Sequence, residues 1–145
     1  MTSYATLCNP VPSVLGARLL GQLDHVREHT ATAQGWLLKL DSGSTIGLSI
    51  GKTADLAGRL DGFAALAKES VSDGERLAYT VARFRDTRQL IACVIEPGLD
   101  PEADDNDQQV IDALFEMNSL LCGLLLLNDA IFDYDAECLT DEELE

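Results

Sequence analysis

Basic side chains are missing from the last third of this chain: residues 100–145 carry fifteen acidic groups and no lysine or arginine. Residues 1–99 hold ten of each sign, so the whole net charge of −15 arises beyond them. Such a surface disfavours nonspecific contact with nucleic acid or an anionic membrane, and it suits a basic protein partner. Histidine is scarce as well, with only His25 and His29 present. From two neighbouring histidines no Ser–His–Asp or Cys–His arrangement can be ordered. The four cysteines (Cys8, Cys93, Cys122, Cys138) show no C-x-x-C spacing. Cys93 and Cys122 lie in apolar runs and read as core thiols of a reducing compartment. The start, MTSYATLCNPVPS, has neither the basic opening nor the long apolar run of a leader, so the expected location is cytoplasmic. The longest apolar stretch, Leu120–Leu127, is far too short to cross a bilayer.

What is present suffices for a core. The chain has 145 residues, 46% of them hydrophobic, which predicts one α+β domain over 1–139. An acidic loop is expected near 99–107 and a disordered acidic tail over 140–145. The stretch that organises the rest is 106–128. Val110, Leu114, Met117, Leu121 and Leu124 recur there at helical steps, which predicts a central helix. From Leu120 the run is apolar on every side and is expected to be buried all round, under a sheet or against a second subunit.

Ahead of it, Ser13 is a credible cap for a first helix reaching about His29, with Val14, Leu15, Leu19, Leu20, Leu23 and Val26 on its apolar face. Gly16 and Gly21 weaken that helix or admit another backbone. Trp36–Leu40 and Thr45–Ile50 flank Asp41-Ser42-Gly43-Ser44 and read as a β-hairpin. A second helix is expected from Thr53 to Glu69, with Gly58 and Gly62 allowing tight packing. Arg76–Phe84 and Arg88–Ile95 alternate around Arg85-Asp86-Thr87 and read as a second hairpin, and Ala130–Tyr134 as a short terminal strand. The expected fold class is therefore α+β in helix-hairpin-helix-hairpin-helix order, with a mainly antiparallel sheet of 4–5 strands packed against helices. Small adaptor and chaperone-like domains, the roadblock type and the acidic secretion chaperones among them, share that general order. No motif selects one of them, and fold alone would not assign function.

Three motifs approach known chemistry. Gly47–Thr53, GLSIGKT, is similar to the end of a phosphate-binding loop, but the leading glycine is replaced by Ile46. Gly51, Lys52 and Thr53 remain candidates for holding an anion at a helix start. His25-Val26-Arg27-Glu28-His29 matches H-x-x-E-H, in which two histidines on one helix face hold zinc. That makes His25 and His29 the metal candidates, with no third histidine to complete the site. Asp129, Asp133, Asp135 and Glu137 lack the glycine that a calcium-binding hand requires. Arg76, Arg83, Arg85 and Arg88 cluster in one region and are expected to pair with the chain's own acidic segment.

The reading that absorbs most of these features is a non-enzymatic protein–protein interaction module. It would act as an acidic adaptor, chaperone or inhibitor, dimeric through its apolar excess and without a cofactor. The expected partner-binding residues are Leu120, Leu121, Leu124, Leu125, Phe132, Asp133, Tyr134, Asp135 and Glu137. The alternative is a small enzyme or ligand-binding domain, zinc-dependent through His25 and His29 or phosphate- or nucleotide-binding through Gly51–Thr53.

Overall fold

The computed structural model describes residues 2–97, 108–128 and 130–140; the acidic loop expected near 99–107 and the tail beyond Thr140 lie outside them. Among the described residues are seven strands: β1 (Ser3–Asn9), β2 (Val26–Ala31), β3 (Gly35–Leu40), β4 (Thr45–Ile50), β5 (Gln89–Glu96), β6 (Leu124–Leu127) and β7 (Ala130–Phe132). Four α-helices accompany them: α1 (Ala17–Leu20), α2 (Leu56–Ser70), α3 (Gly74–Arg85) and α4 (Gln108–Leu121). All strands join one sheet in the order β2-β3-β4-β5-β1-β6-β7, antiparallel at every pairing. The expected helix-hairpin-helix-hairpin-helix order with 4–5 strands is thereby overturned in favour of a sheet-dominated α+β fold. Its likeness in element order to adaptor and chaperone domains goes with it.

Each departure has a local cause. The first helix shrinks to the four residues of α1, bounded by Gly16 at its N-cap and Gly21 at its C-cap. Beyond it, Val26–Ala31 is extended and pairs with β3, with a register shift between Val26 and Glu28. Arg76–Phe84, expected as a strand, is helical. Leu77, Thr80, Val81 and Phe84 fit a helical stripe as well as they fit part of an alternation. The start signal decides between them: the Asp73 carboxylate accepts from the N–H groups of Glu75 and Arg76 at 2.9 and 3.1 Å.

The organising helix also stops earlier than its apolar run. After Leu121 the chain enters a left-handed turn at Cys122 (φ 52°). Cys122 N–H donates to Ser119 O and Gly123 N–H to Asn118 O, the paired bonds of a Schellman stop. Leu124–Leu127 then forms β6 beside β1. A strand covered on both faces needs apolar side chains at every position, so a run of leucines fits it without helical periodicity. Burial of the run departs from the expectation at Leu120, which is 38% exposed, at exposed Cys122 and at half-buried Leu126.

The sheet separates two cores. On one side Leu19, Leu20 and Leu23 from the α1 region and Val110, Leu114, Met117 and Leu121 of α4 pack on Leu7, Leu38, Ile46, Cys93 and Leu125. On the other side Ala67 and Phe84, with Leu60, Phe63 and Leu77, pack from α2 and α3 on Cys8, Leu90, Leu124 and Ile131. Adjacent residues of β6 thus serve opposite cores, as the two-residue period of a strand requires. Gly58 and Gly62 of α2 face open space rather than a packed neighbour, contrary to the expected tight approach. Close approach occurs instead at Gly123, where a Cβ would run into the Cys8 carbonyl. Among the described residues no helix is long and apolar enough to cross a membrane.

Candidate functional site

The chain beyond β7 folds back on α3. Phe132 bridges to Cys138, and Leu139 N–H donates to Ile131 O at 2.8 Å, so the segment covers the outer edge of β7. Its turn is closed by Asp133 N–H to Glu137 O at 2.8 Å and Ala136 N–H to Asp133 O at 3.0 Å. This turn drives the Asp133 carboxylate inward, where the residue is only 4% exposed.

Burying a carboxylate is costly unless donors surround it. Three groups converge on Asp133. The Tyr79 hydroxyl donates to Oδ2 and the Tyr134 N–H to Oδ1 at 2.9 Å, while the Arg83 guanidinium lies 3.7 Å away as an ion pair. Arg83 is itself anchored. Its Nη2 donates to the carbonyl of Cys122 at 2.5 Å and reaches that of Gly123 at 3.4 Å, where the α4 C-terminus favours a cation. Asn118, the one buried polar residue of the α4 stripe, donates to the backbone oxygens of Asp133 and Phe132 at 3.0 and 3.4 Å. Arg83 Nε and Asn118 Oδ1 are buried with no hydrogen-bond partner among the described residues. Burial, the hydrogen bond to Asp133 and that carboxylate's charge push the Tyr79 phenol up to about 12.

Over this buried base lies an exposed surface. Tyr79 and Tyr134 are 42% and 45% exposed. The Arg83 guanidinium sits 5.9 Å from the centre of the Tyr134 ring. Arg76 pairs with Glu137 at 3.6 Å, and Asp135 and Glu137 stand exposed beside them. Of the four arginines expected to pair with the acidic end of the chain, Arg76 and Arg83 do so, while among the described residues neither Arg85 nor Arg88 forms an ion pair. The result is two aromatic side chains held in fixed positions within an acidic rim.

The other sequence candidates are dispersed. Leu121, Leu124 and Leu125 are 2% exposed or less and belong to the chain's own cores. The apolar run that motivated a dimer is consumed inside the molecule. Phe132 is half-buried, packed edge-on against Phe115 with ring centres 5.0 Å apart, and Leu120 borders a groove with Val14. His25 and His29 do not share a helix face, because His25 precedes β2 and His29 lies within it. His25 Nε2 is 3.4 Å from Asp112 Oδ2, whereas the His29 ring contacts Trp36 with centres 5.9 Å apart. Among the described residues no three of His, Cys, Asp or Glu are grouped to hold a metal. Gly51 and Lys52 follow β4, and Thr53 opens a 3-10 turn ahead of α2. Cys93 is a core thiol as expected; Cys122 is exposed, and Cys8 is buried in its place.

Tyr79 and Asn118 were not legible as site residues. Tyr79 falls within the alternation that predicts a strand over Arg76–Phe84. Asn118 had a signal, a lone amide between Met117 and Leu121 on an apolar stripe, where an unpaired amide would be expensive. No protein-family model, no curated protein and no solved structure matches the chain.

Proposed function

We propose that the protein is a non-enzymatic protein–protein interaction module that binds a basic partner through the surface formed by α3 and the 132–138 segment. One observation carries this reading: exposed Tyr79 and Tyr134 lie over the ion pair of half-buried Arg83 with buried Asp133, beside exposed Asp135 and Glu137. Tyrosine and arginine are the side chains that most often dominate binding interfaces, and residues already fixed lose little entropy on binding. Acidic groups around them would steer a positively charged partner and penalise acidic ones. Cys8 and Cys93 are buried free thiols whose burial pushes both up to about 12, which suits a reducing compartment such as the cytoplasm.

The test is capture from native extract by the intact chain, beside Tyr134→Ala and a Glu137→Lys variant, each at low and high salt. A stoichiometric protein partner should be held by the intact chain and weakened about tenfold or more by Tyr134→Ala, the scale of a central interface residue. Charge reversal at Glu137 should weaken it mainly at low salt. Retention by both variants, or no partner under any condition, would overturn the proposal. Salt-insensitive binding would favour a chaperone gripping an apolar segment over an acidic inhibitor or adaptor.

A further inference from the structure

A second basic locus survives in this acidic protein where the end of β4 meets the start of β5. Gly51 N–H donates to Leu90 O at 2.8 Å, bringing the end of β4 beside the start of β5. Between them a cavity of about 140 Å³ is lined by Pro12, Ile50, Gly51, Lys52, Arg88 and Leu90, and among the described residues no carboxylate lines it. Among the described residues neither Lys52 nor Arg88 takes part in an ion pair, although acidic groups outnumber basic ones 25 to 10 in the chain. This contrasts with Arg76 and Arg83, whose charges are matched by Glu137 and Asp133.

We infer that the cavity between Lys52 and Arg88 binds a small tetrahedral oxyanion, either free phosphate or the terminal phosphoryl group of a small monoester. Its chemistry is that of a clamp with two unlike arms. Arg88 offers a planar fork to two oxygens of the anion, and Lys52 a mobile point charge to a third. The N–H groups of Gly51 and Asp55 are already donated to the carbonyls of Leu90 and Lys52 and are not free to hold the ligand. Size narrows the ligand class. Sites that enclose drug-sized molecules run from roughly 300 to 1,000 Å³, so this one is too small to enclose a nucleoside and is matched to a single phosphoryl group. The shortened loop gives the same answer: with Ile46 where a leading glycine is needed, no backbone ring can wrap a polyphosphate chain.

The experiment is calorimetric titration of the full chain with inorganic phosphate and, separately, with methyl phosphate, at low ionic strength. Saturable one-to-one binding is expected, weakened about tenfold by Lys52→Ala and by Arg88→Ala, since each removes one charge-assisted contact. Lys52→Arg should retain most of the affinity. Lys68→Ala, at the distant end of α2, should leave binding unchanged. Equal affinity for both ligands would mean that the cavity takes a terminal phosphoryl group with its substituent outside; phosphate alone would assign the free ion. Both substituted side chains are exposed, and unchanged thermal melting would establish that each variant is folded. No saturable binding to the folded wild type, or binding indifferent to both alanine variants, would overturn the inference.

Discussion

Tyr79 couples an exposed ring to a buried carboxylate, and that coupling can be read by titration. Burial and the bond to Asp133 favour the protonated phenol and move it from 10.0 to about 12. The folded state then holds its proton more tightly than the unfolded chain does. The associated stability is fully present below pH 10 and is lost as pH rises from 10 through 12. In a spectrophotometric titration, a phenol step displaced upward to about 12 should appear. Asp133→Asn should move that late step towards 10. The absence of any phenol step above 10 would mean that the Tyr79–Asp133 bond does not form in solution. At this scale the sequence was half informative. Asp133, Tyr134 and Glu137 stood out because they belong to a dense acidic stretch with an aromatic inside it. Their partners could not be located, since Tyr79 and Asp133 are 54 residues apart and meet only when the chain beyond β7 turns back.

At the level of elements, α3 carries both Tyr79 and Arg83, and its start rests on the Asp73 side chain. Asp73→Ala removes the acceptor from two N–H groups. Such caps stabilise by about 1 kcal/mol, and a loss of that size is expected in urea unfolding. A change indistinguishable from zero would show that the cap is dispensable. The cap was available in the sequence as Asp73, yet the alternation of Leu77, Tyr79 and Val81 favours a strand over Arg76–Phe84. An alternation of a few residues does not exclude a helix, and the stripe Leu77, Thr80, Val81, Phe84 was equally present. Near Leu120–Leu127 the opposite error arose. The helical stripe of α4 ran without interruption into a strand buried on both faces, and only the turn at Cys122-Gly123 separates them. Where burial is one-sided, as in β3 and β4, the hairpin and its turn were legible from pattern alone.

Across the whole molecule, a net charge of −15 makes self-repulsion the dominant long-range electrostatic effect. The exposed pairs Lys39–Glu28 and Arg76–Glu137, at 3.8 and 3.6 Å, contribute little against it. Raising sodium chloride from low concentration to about 0.15 M, where screening acts over roughly 8 Å, should therefore raise the thermal midpoint by a few degrees. A midpoint that falls with salt would mean that the ion pairs outweigh the repulsion. Charge, composition, the absence of a long apolar span, the first hairpin, the approximate extent of α2 and the presence of α4 were determined by the sequence itself. These follow from local rules: periodicity, turn chemistry and the sum of charges. Tertiary structure alone decided that Val26–Ala31 is an edge strand, that β1 lies between β5 and β6, and that a leucine run fills two cores instead of an interface. It also decided that Asp133 is buried beneath two tyrosines. The physical reason is common to all four. Which face of a segment is covered depends on partners distant in the chain, and a strand covered on both sides carries no periodic signal to reveal them.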